Sequence, residues 1–209
     1  VGPKGSFGKP PMTIEMRGWR SDDALGANAR DVIGHADYAT IHDQMRRAMD
    51  GETVREVARD PFNPKKLYAA TLTEIHVSEN SGESWQWLPS GGIDYRDIWS
   101  MAVHPTRPNE IYVGTLPAAV YVSDNGGRSF RELAAFRQLP DYNKWTFPPG
   151  AHVAHARSIA LDARVPDEIV VGIEEGGVAR SRDRGATWED ISGPASPTAF
   201  PKVNDPAGI

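Results

Sequence analysis

Cysteine is absent from the 209 residues, which removes disulfides and thiol nucleophiles from consideration and fits the cytosol and a Cys-free exported protein alike. Long apolar runs are missing too. None approaches the ~20 residues that a helix needs to cross a bilayer, so no membrane partner is expected. Positive charge is scarce: 23 Lys and Arg stand against 28 Asp and Glu, without the dense basic patch that a nucleic-acid face requires. No glycine-rich loop follows a strand and opens a helix. The spacing of His152 and His155 matches no zinc signature, so no cofactor and no metal is expected.

Turn formers, by contrast, are plentiful. The 20 Gly and 17 Pro argue for short strands and tight turns, and 39% hydrophobic residues suffice for a folded core. Residues 1–11, rich in Gly, Pro and Lys, read as a tag or loose arm. An N-terminal segment, 12–53, follows. Within it the apolar period turns helical over 35–50, where Tyr38, Ile41, Met45 and Met49 share one face and Gly51 supplies a stop. One helix in a strand-rich chain is expected to pack against a sheet.

From residue 54 the chain repeats itself. The octapeptides at 78–85, 123–130 and 181–188 share one template: Ser, any residue, Asp or Asn, any residue, Gly, any residue, Ser or Thr, and an aromatic. Their first serines lie 45 and then 58 residues apart. Before each octapeptide come two apolar, β-branched segments divided by a Pro-containing turn, and a third segment leads into it. Four short strands in ~40–45 residues is the pattern of a propeller blade, and a lone blade cannot bury both faces of its sheet. The predicted fold is therefore all-β: a β-propeller of four-stranded blades over 54–191, with three to four blades in this chain and one N-terminal helix. The 192–209 tail reads as a linker or the start of a further blade.

The octapeptides resemble the Asp-box, or BNR, repeat of sialidases, xyloglucan hydrolases, sortilin-type receptors and photosystem II assembly factors. Asn80 and Asn125 stand where that repeat has Asp, and they keep a side-chain acceptor. The resemblance implies a ring of six to eight blades. Hence the chain is a fragment of a longer ring, or two copies complete each other by self-association, or 12–50 covers an exposed edge. Turn chemistry itself explains the repeat. Ser, Asn and Asp side chains satisfy backbone N–H groups in a tight hairpin, glycine permits positive φ, and the aromatic buries the turn.

Blade geometry then separates this hairpin from a binding surface. Loops 72–74, 116–118 and 174–176, with the inter-blade loops 90–97 and 136–155, share the face opposite the octapeptides. The second inter-blade loop holds the 13 extra residues, among them Trp145, followed by His152, His155 and Arg157. Inserted loops of this kind commonly carry function. Trp145 would stack on a sugar or other planar ligand, and His155, Arg157 and Glu174 would form a polar cluster; Tyr95 lies near Asp97 in sequence. The plainer alternatives are that Trp145 packs its loop down, the histidines are structural, and Glu174 and Glu175 form a solvated turn.

Two function classes follow. A non-catalytic ligand-binding or assembly module needs only a shaped face with aromatics and charges, and a small molecule or glycan would be its ligand. Glycoside hydrolysis needs two carboxylates roughly 5–10 Å apart, for which Asp97, Glu174 and Glu175 are the acids on the right face. The sialidase pattern is incomplete: there is no Arg-Ile-Pro motif, and Arg55, Arg96 and Arg157 are candidates by blade position alone. The binding module is the preferred reading.

Overall fold

A computed structural model describes residues 53–94, 97–147, 152–174 and 176–193. The expected helix at 35–50, the flanking segments 1–11 and 194–209, Tyr95, Arg96 and Glu175 lie outside these described residues.

Three four-stranded antiparallel meanders account for the repeats. The first blade comprises β1 (Glu56–Arg59), β2 (Leu67–Ala70), β3 (Ile75–Ser78) and β4 (Gln86–Leu88). The second comprises β5 (Asp97–Val103), β6 (Ile111–Leu116), β7 (Ala119–Ser123) and β8 (Arg131–Glu132). A small hairpin, β9 (Thr146–Phe147) with β10 (His152–Val153), precedes the third. That last blade comprises β11 (His155–Leu161), β12 (Ile169–Glu174), β13 (Gly177–Ser181) and β14 (Glu189–Asp190). Strands β1, β5 and β11, the first of each sheet, lie side by side, so the blades radiate from them as in a β-propeller.

Strand alternation holds the blades together. In the middle blade Ile111, Val113, Ala119 and Tyr121 join a core with Tyr68, Ile75 and Leu88 of the first blade. The intervening Tyr112, Val120 and Val122 join a second core with Ile169, Val171 and Ala179 of the third. A period of two thus buries both faces of one sheet, at roughly 1.5–3 kcal/mol for each large apolar side chain removed from water.

The octapeptides link β3 to β4, β7 to β8 and β13 to β14, and repeat one hydrogen-bond scheme. Ser78, Ser123 and Ser181 Oγ accept from the N–H of Gly82, Gly127 and Gly185 at 2.8, 2.9 and 2.7 Å. Oδ1 of Asn80, Asn125 and Asp183 accepts from the N–H of Ser84, Ser129 and Thr187 at 2.9, 3.0 and 2.8 Å. Gly127 has φ of +86°, and a Cβ there would meet Leu88 Cδ2 at 2.7 Å, so the glycine both makes the turn and seats it on the preceding blade. These side chains are spent on the hairpin.

One irregularity matters for the site. The β5–β6 register slips between Ile98 and Ser100, and the β11–β12 register slips between Ala156 and Ser158. Trp99 and Arg157 are therefore bulge residues, released from regular pairing and re-aimed.

Candidate functional site

Ser100 pairs with Gly114 and Ser158 with Gly172, while Glu56 pairs with Ala70. The residues just before these, Arg55, Trp99 and Arg157, hold equivalent places on neighbouring blades. They converge. Arg55 Cζ lies 4.0 Å from the Trp99 ring centroid and Arg157 Cζ lies 5.4 Å from it. Cations this close to an indole gain ~0.5–2 kcal/mol each from its quadrupole. The His155 ring also lies against Trp99, with centroids 3.9 Å apart.

Carboxylates border this ladder. His155 and Glu174 are cross-strand partners, which brings His155 Nε2 to 2.7 Å from Glu174 Oε2. Arg157 Nε lies 3.4 Å from the same oxygen. Burial pushes the carboxyl of half-buried Asp97 above its ordinary range, against the pull of Arg55, the Trp99 indole N–H and His155. Asp97 Oδ1 and Trp99 Nε1 are nevertheless both buried without a hydrogen bond of normal geometry. Burial likewise lowers Arg55, with Asp97 opposing the shift and Arg157 reinforcing it. Glu56, on the adjoining strand, is pushed up to about 7 by burial, although the Val57 N–H and the charge of Arg157 pull the other way.

Of the residues singled out in the sequence, the fold brings Asp97, His155, Arg157 and Glu174 together. Trp145 is elsewhere and requires a correction. It is 6% exposed, in an aromatic cluster with Phe136 and Tyr142 at centroid distances of 5.8 and 5.0 Å. It has no open face for a sugar. The described part of the inserted segment is a packed plug: 3-10 turns at Ala134–Gln138 and Tyr142–Lys144 place Phe136 and Trp145 in the core. Ala118 N–H donates to Ala154 O at 2.8 Å and the Tyr142 hydroxyl to Ala118 O at 2.7 Å, which fixes the plug to the β6–β7 turn. His152 pairs through its backbone with Phe147.

Trp99 and Glu56 were missed. Aligning the strand that opens each repeat exposes Arg55, Trp99 and Arg157 as one register position. The bulges that aim two of them leave no sequence signal. Among the described residues no group of three or more His, Asp or Glu is placed to hold a metal. No described helix is long and apolar enough to cross a membrane.

No family model matches the chain. It is similar to the oligoxyloglucan-reducing end-specific xyloglucanase of Emericella nidulans, with 24% identity over 189 residues covering 84% of this chain and 21% of the enzyme. The chain thus spans about a fifth of that relative. Among solved structures, an ancestral GH74 enzyme superposes with a TM-score of 0.52 and 23% identity, over 66% of this chain and 18% of the other. The GH74 xyloglucanase from Xanthomonas campestris also gives a TM-score of 0.52, with 22% identity over 70% of this chain and 24% of the enzyme. At such identities the structural likeness establishes the fold, a β-propeller.

Proposed function

We propose that the chain supplies Asp-box blades to a propeller whose loop face binds a carbohydrate, with the Arg55–Trp99–Arg157 ladder as the contact surface. One observation carries this reading: two guanidinium groups lie 4.0 and 5.4 Å from the Trp99 ring. Beside it Asp97 Oδ1 and the Trp99 indole N–H are buried and make no hydrogen bond of normal geometry, although they interact with each other. A polyhydroxylated ligand offers donors and acceptors suited to a carboxylate and an indole N–H, and the guanidiniums add planar donor arrays. The unit that does this is 54–191, with His155, Arg157 and Glu174 as ligand-contacting groups. The likeness to a xyloglucan-acting enzyme supports a glycan as the ligand class.

A second reading is favoured by the acids at the same place. Asp97, with its carboxyl raised by burial, and Glu174 would serve as general acid and base of a glycoside hydrolase. Calorimetric titration with xyloglucan-derived oligosaccharides, followed by product analysis, separates the two. Binding without turnover, lost at least tenfold in Trp99→Ala, supports the binding module. Turnover abolished in Glu174→Gln with affinity retained replaces it with the hydrolase. Unchanged affinity in Trp99→Ala refutes the ladder as the contact surface.

A further inference from the structure

The two seams between blades are built from equivalent positions, and they differ in one informative way. Between the second and third blades, Glu110 is 3% exposed and precedes β6. It accepts from the Tyr112 hydroxyl at 2.7 Å and from Arg184 Nη2 at 2.6 Å. Arg184 is the fourth residue of the third octapeptide, held at φ +60° with its N–H on Asp167 O at 3.0 Å. That seam is closed by tyrosine, carboxylate and guanidinium.

Between the first and second blades each part has its counterpart, with different chemistry. Lys66 stands in the place of Glu110, Tyr68 in that of Tyr112, and Gly126 in that of Arg184. Gly126 has φ +75°, and its N–H is bound to Asn109 O at 2.9 Å, so the backbone is the same. With no side chain at 126 the seam opens into a groove of about 410 Å³, lined by Lys66, Glu79, Asn109, Gly126 and Arg128 among others. Tyr68 is 0% exposed, and its hydroxyl makes no hydrogen bond of normal geometry. That hydroxyl lies 3.8 Å from where a Cβ on Gly126, a lining residue of the groove, would stand. The ammonium of Lys66 lies 5.4 Å from the Tyr68 ring centroid. Burial raises the Tyr68 hydroxyl above its ordinary range, while a hydrogen bond with Lys66 and the Lys66 charge oppose this, so the hydroxyl stays protonated.

We propose that this groove is an oxyanion site, taking the carboxylate of an acidic sugar or a free phosphate between Lys66, the Tyr68 hydroxyl and Arg128. The closed seam supplies the precedent: there a carboxylate oxygen accepts from the equivalent tyrosine. Here the position facing the tyrosine carries a cation, so the missing anion comes from outside. Glu79 pairs with Lys66 at 3.2 Å, but its side chain is 60% exposed. Such a pair contributes only ~0–1 kcal/mol and yields to a better-placed anion. A charge-assisted hydrogen bond from a buried hydroxyl is stronger than that surface contact. This site is on the octapeptide side of the blades and stands independently of the glycan reading of the Trp99 ladder.

The test is titration of the full 209-residue chain at low salt with sodium galacturonate, inorganic phosphate and galactose, followed by calorimetry and by the Gly126 amide resonance. Galacturonate should bind and galactose should not, with affinity falling as salt is added. Phosphate binding equally well would identify the ligand as any small oxyanion, and its exclusion would identify an acidic sugar. Tyr68→Phe, which removes one oxygen, and Lys66→Met should each weaken binding at least tenfold, whereas Trp99→Ala should not. Absence of binding by either anion, equal affinity for galactose, or unchanged affinity in Tyr68→Phe would each overturn the proposal.

Discussion

Glu56→Gln provides a quantitative test of how the blade seams are built. Glu56 occupies the place that Ser100 and Ser158 hold in the other two blades, at the pairing position opposite Ala70. In the next seam Ser100 Oγ donates to Ala156 O at 2.8 Å, a compact neutral contact. A glutamate in that position brings a carboxyl into a half-buried place, and burial raises it from 4.5 to about 7. A carboxyl raised in the folded state binds its proton more tightly there than in the unfolded chain. Stability is therefore greatest below the unfolded value of 4.5, falls as pH rises through the window to about 7, and is level above it. At ~1.4 kcal/mol per pH unit that gap corresponds to ~3 kcal/mol, and solvent access to a half-buried group reduces it to ~1–3 kcal/mol. Gln matches the protonated form in shape and does not titrate. Urea melts of both proteins at pH 4.5, 6 and 8 should give near-equal stability at the lowest pH and a Gln variant ~1–3 kcal/mol more stable at the highest. Other titrations cancel in the difference. A pH-independent difference would show that folding leaves the Glu56 carboxyl unshifted, and a Gln variant less stable at pH 8 would show that Glu56 is ionised and paired in the folded state.

Two further outcomes follow from the packing. Trp145→Ala should cost ~3–5 kcal/mol in thermal or urea unfolding, the usual figure for a large aromatic removed from a core, without weakening glycan binding by the folded protein. Glu110→Ala should cost ~2–4 kcal/mol, because the buried Tyr112 hydroxyl loses its acceptor while Arg107 and Arg184 remain partly solvated. Burial opposes ionisation of Glu110, but the Tyr112 hydroxyl, Arg184, Arg107 and His104 outweigh it and lower its carboxyl below the ordinary range. This stabilisation is present above the ordinary carboxylate range and is lost as pH falls through the depressed folded value. Acid melts of wild type and Glu110→Ala should therefore converge at low pH.

The blades were legible because their causes are local. Ser, Asn or Asp, Gly and the aromatic act within eight residues, and the hydrogen bonds of the third octapeptide match those of the first two in kind. Alternation within β6 and β7 was equally readable, as it needs only a period of two. The site was half legible. His155 and Glu174 were grouped because each ends a strand on the loop face, and cross-strand pairing brings them to 2.7 Å. Trp99 was not found, because its direction is set by a bulge between Ile98 and Ser100 that nothing in the local sequence announces. Trp145 failed for the opposite reason. Aromatic residues in an insertion satisfy a surface platform and a packed plug equally well, and only the positions of Phe136, Tyr142 and Ile173 decide between them.

Repetition of the backbone turns side-chain differences between blades into evidence. Where every blade keeps the same residue type, as at the serines 78, 123 and 181, the turn itself demands it. Where the backbone is kept and the side chain changes, folding demands less, and the difference reflects what each seam encloses. At the fourth octapeptide position φ is +62°, +75° and +60° for Ser81, Gly126 and Arg184, so glycine at 126 is not required by the turn. Its effect is to leave a groove above a buried hydroxyl where the next seam has a filled ion pair. The same comparison applies to Arg55, Trp99 and Arg157, where one register position carries a cation in two blades and an indole in the blade between them. Under the proposed function, that difference reflects a ligand in front of the ladder rather than the blades behind it.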